Sequence, residues 1–223
     1  MRHPVPDPPT STSAFAALID HTLAVPEATP EDVDIAARTA SELGCAALVV
    51  HPARLPVVSG VPVCALAGFP SGAHGPEVKS AETAYAVLAG ATEIEMVVDL
   101  GLVKASAWTD LEDEIATVRT ACGTALLKVV VESALWNDDQ LARAAEAAGR
   151  GGADYVVTST GFHPAGGATE KAVRLLRSVV GDELGVKASG GITDIEPAVA
   201  LIRAGASRIG CAGTPALLAG FGS

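Results

Sequence analysis

Eight short β-type runs, each followed by a connecting stretch, most of them able to form a helix, limit the folds open to this chain more than any other feature. The runs are 15–21 (FAALIDH), 46–51 (AALVVH), 62–69 (PVCALAGF), 93–100 (EIEMVVDL), 125–132 (ALLKVVVE), 153–159 (ADYVVTS), 184–189 (LGVKAS) and 207–212 (SRIGCA). Most are apolar almost throughout, as expected of strands buried on both faces of a parallel sheet. Connecting segments such as PEVKSAETAYAVLAG and NDDQLARAAEAAGRGG gather Ala, Leu and Val on one helical face and charges on the other. Eight such units in 223 residues predict one compact (β/α)8 TIM barrel over 14–223. An open nucleotide-binding sheet fits less well, because no GxGxxG or GxxxxGK[ST] element is present. The Pro/Ser/Thr-rich opening predicts a disordered tail over 1–13.

A formal net charge of −11 argues against nucleic acid or an anionic membrane as partner, since both require a basic face. A local pocket can still hold a small anion. Every apolar run is broken too early to span a bilayer, and the opening residues lack the apolar stretch of a secretory signal. Cys45, Cys64, Cys122 and Cys211 are widely spaced and form no CxxC pair, so reduced thiols and a cytoplasmic location are expected. Without HxH or HExxH spacing, no metal site is expected, nor any other cofactor. The expected partner is a small-molecule substrate; self-association into a homo-oligomer is left open.

Two glycine-rich turns fall where active sites of this fold lie, at the carboxyl ends of strands. Thr193 with Glu196, after Gly190-Gly191, predicts a capping box, and Thr214-Pro215 predicts an N-cap followed by a first-turn proline. Backbone N–H groups of Gly190, Gly191 and Gly210 are candidates for binding a phosphate. Glycine turns are equally a generic feature of such barrels.

Several segments together carry a resemblance: Asp20-His21-Thr22-Leu23, Gly68-Phe69-Pro70-Ser71-Gly72, Lys79 with Glu82, and Glu93-Ile94-Glu95-Met96-Val97. They continue with Leu127-Lys128-Val129-Val130-Val131-Glu132, Thr158-Ser159-Thr160-Gly161-Phe162, Gly166-Gly167-Ala168-Thr169, Val186-Lys187-Ala188-Ser189-Gly190-Gly191 and Gly205-Ala206-Ser207-Arg208-Ile209-Gly210. In this order and spacing the chain resembles the deoxyribose-5-phosphate aldolases. The resemblance implies a metal-free class I aldolase that joins acetaldehyde to glyceraldehyde 3-phosphate through a lysine Schiff base. It also implies substrate contacts at Thr22, Thr158, Ser159 and Gly161, and at position 157.

The same resemblance exposes departures. The family's sixth-strand motif places lysine where this chain has Val157, within Tyr155-Val156-Val157-Thr158-Ser159. Valine has no lone pair and cannot form an imine. Glu95 replaces the family's proton-relay aspartate, Thr193 its arginine, Ala212 and Gly213 its paired serines, and His51 a frequent asparagine. Each lost charge-assisted phosphate contact removes about 1.5–3 kcal/mol, so weak phosphate binding is expected.

Among five lysines, Lys128 and Lys187 sit inside apolar strand runs. A buried lysine is costly unless it is paired or functional. Their strands flank the sixth, with Cα atoms on the order of 10 Å apart, so both side chains are expected to reach the space before Val157. One reading makes Lys187 or Lys128 a relocated amine nucleophile or acid/base; the other makes them inherited core ion pairs with Glu95, Asp20 or Glu132. Lysine's free pKa is about 10.4, and bringing it to neutrality costs roughly 4 kcal/mol. Burial beside Val157 and repulsion from Lys128 are expected to lower the pKa of Lys187. Asp20 is placed to orient substrate or a lysine. Glu95 and Asp99, four apart on one strand face, form a candidate general acid/base pair, although Asp99 is equally placed to cap the following turn. Three functions remain open: an aldolase-like lyase with a relocated lysine, an isomerase or cyclase working without an imine, and a ligand-binding barrel without turnover.

Overall fold

The computed structural model describes residues 3–221, so Met1 and Arg2 of the expected tail and Gly222 and Ser223 of the barrel domain lie outside the described residues. Strands β1 (Ile19–Leu23), β2 (Ala47–Val50), β3 (Val63–Ala67), β4 (Glu93–Val97), β5 (Leu126–Val130), β6 (Tyr155–Val157), β7 (Gly185–Ser189) and β8 (Arg208–Cys211) are all parallel. They close in chain order into the expected (β/α)8 TIM barrel. Around it run α1 (Thr12–Ala16), α2 (Pro30–Leu43), α3 (Pro76–Leu88), α4 (Leu100–Ala105), α5 (Trp108–Cys122), α6 (Asp138–Arg150), α7 (Glu170–Val180), α8 (Ile195–Arg203) and α9 (Thr214–Ala219).

Local expectations shift in several places. Phe15 and Ala16 belong to α1, not to the first strand: the Ser11 hydroxyl accepts the Ala14 N–H and starts a helix within the tract read as tail. That tract is also tied to the barrel at His3, whose N–H donates to the Asp182 carbonyl (2.7 Å) and whose ring meets Tyr155 edge-on at 4.6 Å. Between β2 and β3 the chain makes only a 3-10 turn (Pro52–Arg54), whereas β4 is followed by two helices. The capping box at Thr193 does not form, because α8 takes Asp194 as its N-cap. Its third residue, Pro197, has no N–H to offer, and the Thr193 hydroxyl donates to Asp194 instead (2.7 Å). Gly213, not Thr214, is the N-cap of α9.

Side-chain alternation divides the core in two. Outward residues such as Ile94, Met96, Leu127, Val129, Val186 and Ile209 pack against the helices in one continuous apolar layer. Inward residues are sorted by height. Glu93, Glu95, Lys128, Lys187, Arg208 and Asp20 form a charged band across the barrel. Val97, Val130 and Val157, with Phe69 packed against them, form an apolar cluster toward the carboxyl end.

Candidate active site

Three carboxylates and three cations make up the band. Lys128 Nζ lies 2.6 Å from Asp20 Oδ2 and 2.5 Å from Glu93 Oε2. Lys187 Nζ lies 2.5 Å from Glu95 Oε2 and 2.9 Å from Asp20 Oδ2. Arg208 holds the other Asp20 oxygen at 2.6 Å. Asp20 and Lys128 are fully buried, and Lys187 is 1% exposed. Strand register explains the convergence, since Glu95 neighbours Lys128 across β4–β5 and Lys187 neighbours Arg208 across β7–β8. Burial favours the protonated form of Asp20, but Lys128, Lys187 and Arg208 overcome it and hold the carboxyl well below its usual range.

The structure corrects two expectations about the lysines. Val157 pairs with Lys187 across β6–β7, so the two residues are neighbours on adjacent strands. Lys128 instead pairs with Tyr155, two residues nearer the amino end, and its chain goes to Asp20 and Glu93 instead of the space before Val157. Nor is the pKa of Lys187 lowered. Burial acts in that direction, but the carboxylates of Asp20 and Glu95 outweigh it and raise the ammonium above the ordinary lysine value. The pairs of Lys187 with Glu95 and Asp20, and of Lys128 with Asp20, are those of the core ion-pair alternative, and for Lys187 they outweigh the repulsion from Lys128.

Asp99 is not part of this band. Strand β4 ends at Val97, so alternation no longer applies four residues after Glu95. Asp99 is the N-cap of α4, its carboxylate accepting the Gly101 N–H at 2.7 Å. Thr158 and Ser159 are buried. The Thr158 hydroxyl accepts the Ser189 N–H and donates to the Ser189 carbonyl, tying β6 to β7 (2.9 Å each). Ser159 faces Ser133 at 3.5 Å.

Above the band, at the carboxyl end, opens a cavity of about 360 Å³. Thr22, Gly161, Gly190, Gly191 and Gly210 line it, together with Phe162, Thr193, Ala212 and Gly213. Lys187 lies under its floor: a Cβ added to Gly210 would stand 3.0 Å from Lys187 Cε. Val157 is sealed at 0% exposure beneath Phe69, whose ring also meets Phe162 (5.2 Å) and His51 (5.7 Å) edge-on. Reaction-type groups and open cavity are therefore neighbours separated by a thin partition.

Several buried polar side chains find partners that local sequence does not signal. Glu93 and Arg208 belong to the band, but their charges sit at strand starts, where solvated ends are the usual expectation. His21 lines the cavity and places Nδ1 2.9 Å from Thr214 Oγ1. Glu132 turns from the lysines to the β6–α7 loop, accepting the Thr160 hydroxyl at 2.6 Å from a left-handed backbone (φ 49°). Lys79 pairs with Glu114 at 2.6 Å between α3 and α5, and thirty-five residues of separation leave no local signal for it. Among the described residues no cluster of three or more His, Cys, Asp or Glu is arranged to hold a metal ion.

Residues 14–222 match the family described as DeoC/LacD family aldolase. The chain belongs to the DeoC/LacD aldolase family. This family member is 50% identical over 212 residues to a deoxyribose-phosphate aldolase of Kocuria rhizophila, covering 94% of this chain and 97% of that one. It is 49% identical over 216 residues to the enzyme of Mycobacterium avium, covering 93% and 97%. Among solved structures, a tetrameric deoxyribose phosphate aldolase from Aeropyrum pernix superposes with a TM-score of 0.87 at 34% identity, covering 97% of this chain and 94% of that one. In this aldolase-family barrel no helix among the described residues is long and apolar enough to cross a membrane.

Proposed function

We propose that the chain is an aldolase-type lyase of reduced power, acting on a small aldehyde or sugar-like substrate with Lys187 as the relocated amine. The observation that carries this reading is the placement of Lys187: next to Val157 in the β6–β7 register, with Cε under the cavity floor and Nζ 2.5 Å from the Glu95 carboxylate. An amine attacks a carbonyl carbon only when neutral. Glu95 is the group in place to take the Lys187 proton, after which nitrogen–carbon bond formation and loss of water give the imine. Because two carboxylates stabilise the ammonium, the neutral amine is scarce, and turnover is expected several orders of magnitude below that of a barrel with lysine at position 157. Asp20 keeps Lys128, Lys187 and Arg208 in place. The chemistry calls for no cofactor. Assembly into a homo-oligomer, as in the Aeropyrum pernix relative, and a cytoplasmic location belong to the same proposal.

A second reading is favoured by the raised pKa of Lys187 and its 1% exposure: ligand binding, or proton transfer by the Lys187–Glu95 couple without an imine. Borohydride reduction in the presence of acetaldehyde, followed by mass mapping, separates the two. The lyase reading expects a single adduct on Lys187 that disappears in Lys187→Met. Labelling confined to exposed lysines such as Lys171, or no adduct at all, would leave the second reading.

A further inference from the structure

We infer that His21 is a ligand-binding residue whose Nε2 accepts a hydroxyl of the substrate, and that the cavity takes a neutral hydroxylated aldehyde in preference to a sugar phosphate. This rests on the proposed reading of the cavity as a sugar-like site and names its substrate class.

The wall of the cavity is formally uncharged. No Lys, Arg, Asp or Glu lines the cavity. Most side-chain hydroxyls there donate their protons elsewhere. Thr22 donates to the Asp20 carbonyl (3.0 Å), Thr160 to Glu132 (2.6 Å) and Thr193 to Asp194 (2.7 Å). Two side-chain groups of the wall remain without a hydrogen-bond partner among the described residues: the Ser189 hydroxyl and His21 Nε2.

Thr214 sets the tautomer of His21. With its single hydroxyl proton on the Cys211 carbonyl at 3.3 Å, the Thr214 oxygen accepts from His21 Nδ1 at 2.9 Å, which is the arrangement this inference assigns. Nδ1 then carries the hydrogen and Nε2 the lone pair. Burial pushes the imidazole below its ordinary pKa, which keeps the ring neutral at pH 7. A lone-pair acceptor and a hydroxyl, in a wall without a cation, match the donors and acceptors of a polyol. A phosphate dianion would meet no cation there, only backbone N–H groups and the Ser189 hydroxyl, within a chain of net charge −11. A site built to hydrogen-bond a hydroxyl discriminates because its polar groups are otherwise left unpaired.

The test measures binding of 2-deoxyribose, 2-deoxyribose 5-phosphate and inorganic phosphate by calorimetry, on the full chain and on His21→Leu and His21→Gln. We expect deoxyribose to bind more tightly than either phosphate. His21→Leu should weaken deoxyribose about five- to ten-fold, the size of one neutral hydrogen bond, and His21→Gln should recover part of the loss. Long-range proton–nitrogen NMR on the unmutated protein gives a readout independent of variant folding: His21 should appear as the Nδ1–H tautomer, and its Nε2 resonance should move on adding deoxyribose. Tighter binding of the 5-phosphate, a His21→Leu protein with unchanged deoxyribose affinity, or an Nε2–H tautomer would overturn the assignment while leaving a sugar site in place. Failure of all three compounds to bind would remove the sugar-site reading and this inference with it.

Discussion

Position 157 shows how one side chain alters the electrostatics of a whole site. With valine there, the band holds equal numbers of carboxylates and cations, and every amine in it has a carboxylate partner. A lysine introduced at 157 would be a fourth cation among three acids, next in register to Lys187. Repulsion and burial would both favour its neutral form. Val157→Lys should therefore raise retro-aldol cleavage of 2-deoxyribose by about two orders of magnitude or more, read as acetaldehyde release. An unchanged rate would show that more than the amine is missing. Asp20 provides the complementary case. Asp20→Asn leaves Lys128, Lys187 and Arg208 short of countercharge, and breaking a buried pair in this way costs about 3–5 kcal/mol, measurable by denaturant unfolding. Its pH dependence follows from the depressed pKa. The native state binds fewer protons at Asp20 than the unfolded state, so the carboxylate's contribution is complete above its unfolded value of about 3.9 and falls away as pH drops below it. The stability of Asp20→Asn should change less steeply in that acid range than that of the unmutated protein.

Between elements, the connections after β6 and β7 touch backbone to backbone. A Cβ on Gly167 would come within 2.1 Å of the Gly190 carbonyl oxygen, and one on Gly161 within 3.2 Å of Gly190 Cα. The Ala168 N–H donates to the same Gly190 carbonyl at 3.1 Å. Since Gly161 and Gly190 both line the cavity, this contact sets its width. Gly167→Ala must push the turns apart and should cost about 1–3 kcal/mol of stability, as overpacking commonly does. Deoxyribose affinity should fall in parallel, and calorimetry on the folded variant would check it. At this scale the sequence was legible for the strands and for most helices. Buried parallel strands announce themselves as apolar runs, and α3 and α6 occupy the amphipathic segments that suggested them. The bare β2–β3 connection was not legible, and neither were the starts of α8 and α9, where one residue of shift decides which hydroxyl caps. Side-chain destinations were harder still. Lys128 and Lys187 look alike as lysines in apolar strands, yet register sends one toward Glu93 and the other beside Val157. His21 carried no local signal at all, because its partner Thr214 lies 193 residues away.

For the molecule as a whole, the barrel closes without an unpaired sheet edge, and its interior is charged at mid-height and greasy toward the mouth. The family match and the closed sheet agree on architecture. The balanced band has a further consequence for how the protein meets its solvent. Three acids and three bases cancel, and the buried Lys79–Glu114 pair cancels too, so the full net charge of −11 is carried by the remaining groups outside these two sets. At about 1 M salt the screening length shrinks to about 3 Å, and it is the solvated groups that feel this. Ionic strength thus acts on the coat of the molecule and leaves its sealed interior alone: solubility and self-association can be tuned by surface charge without retuning the site.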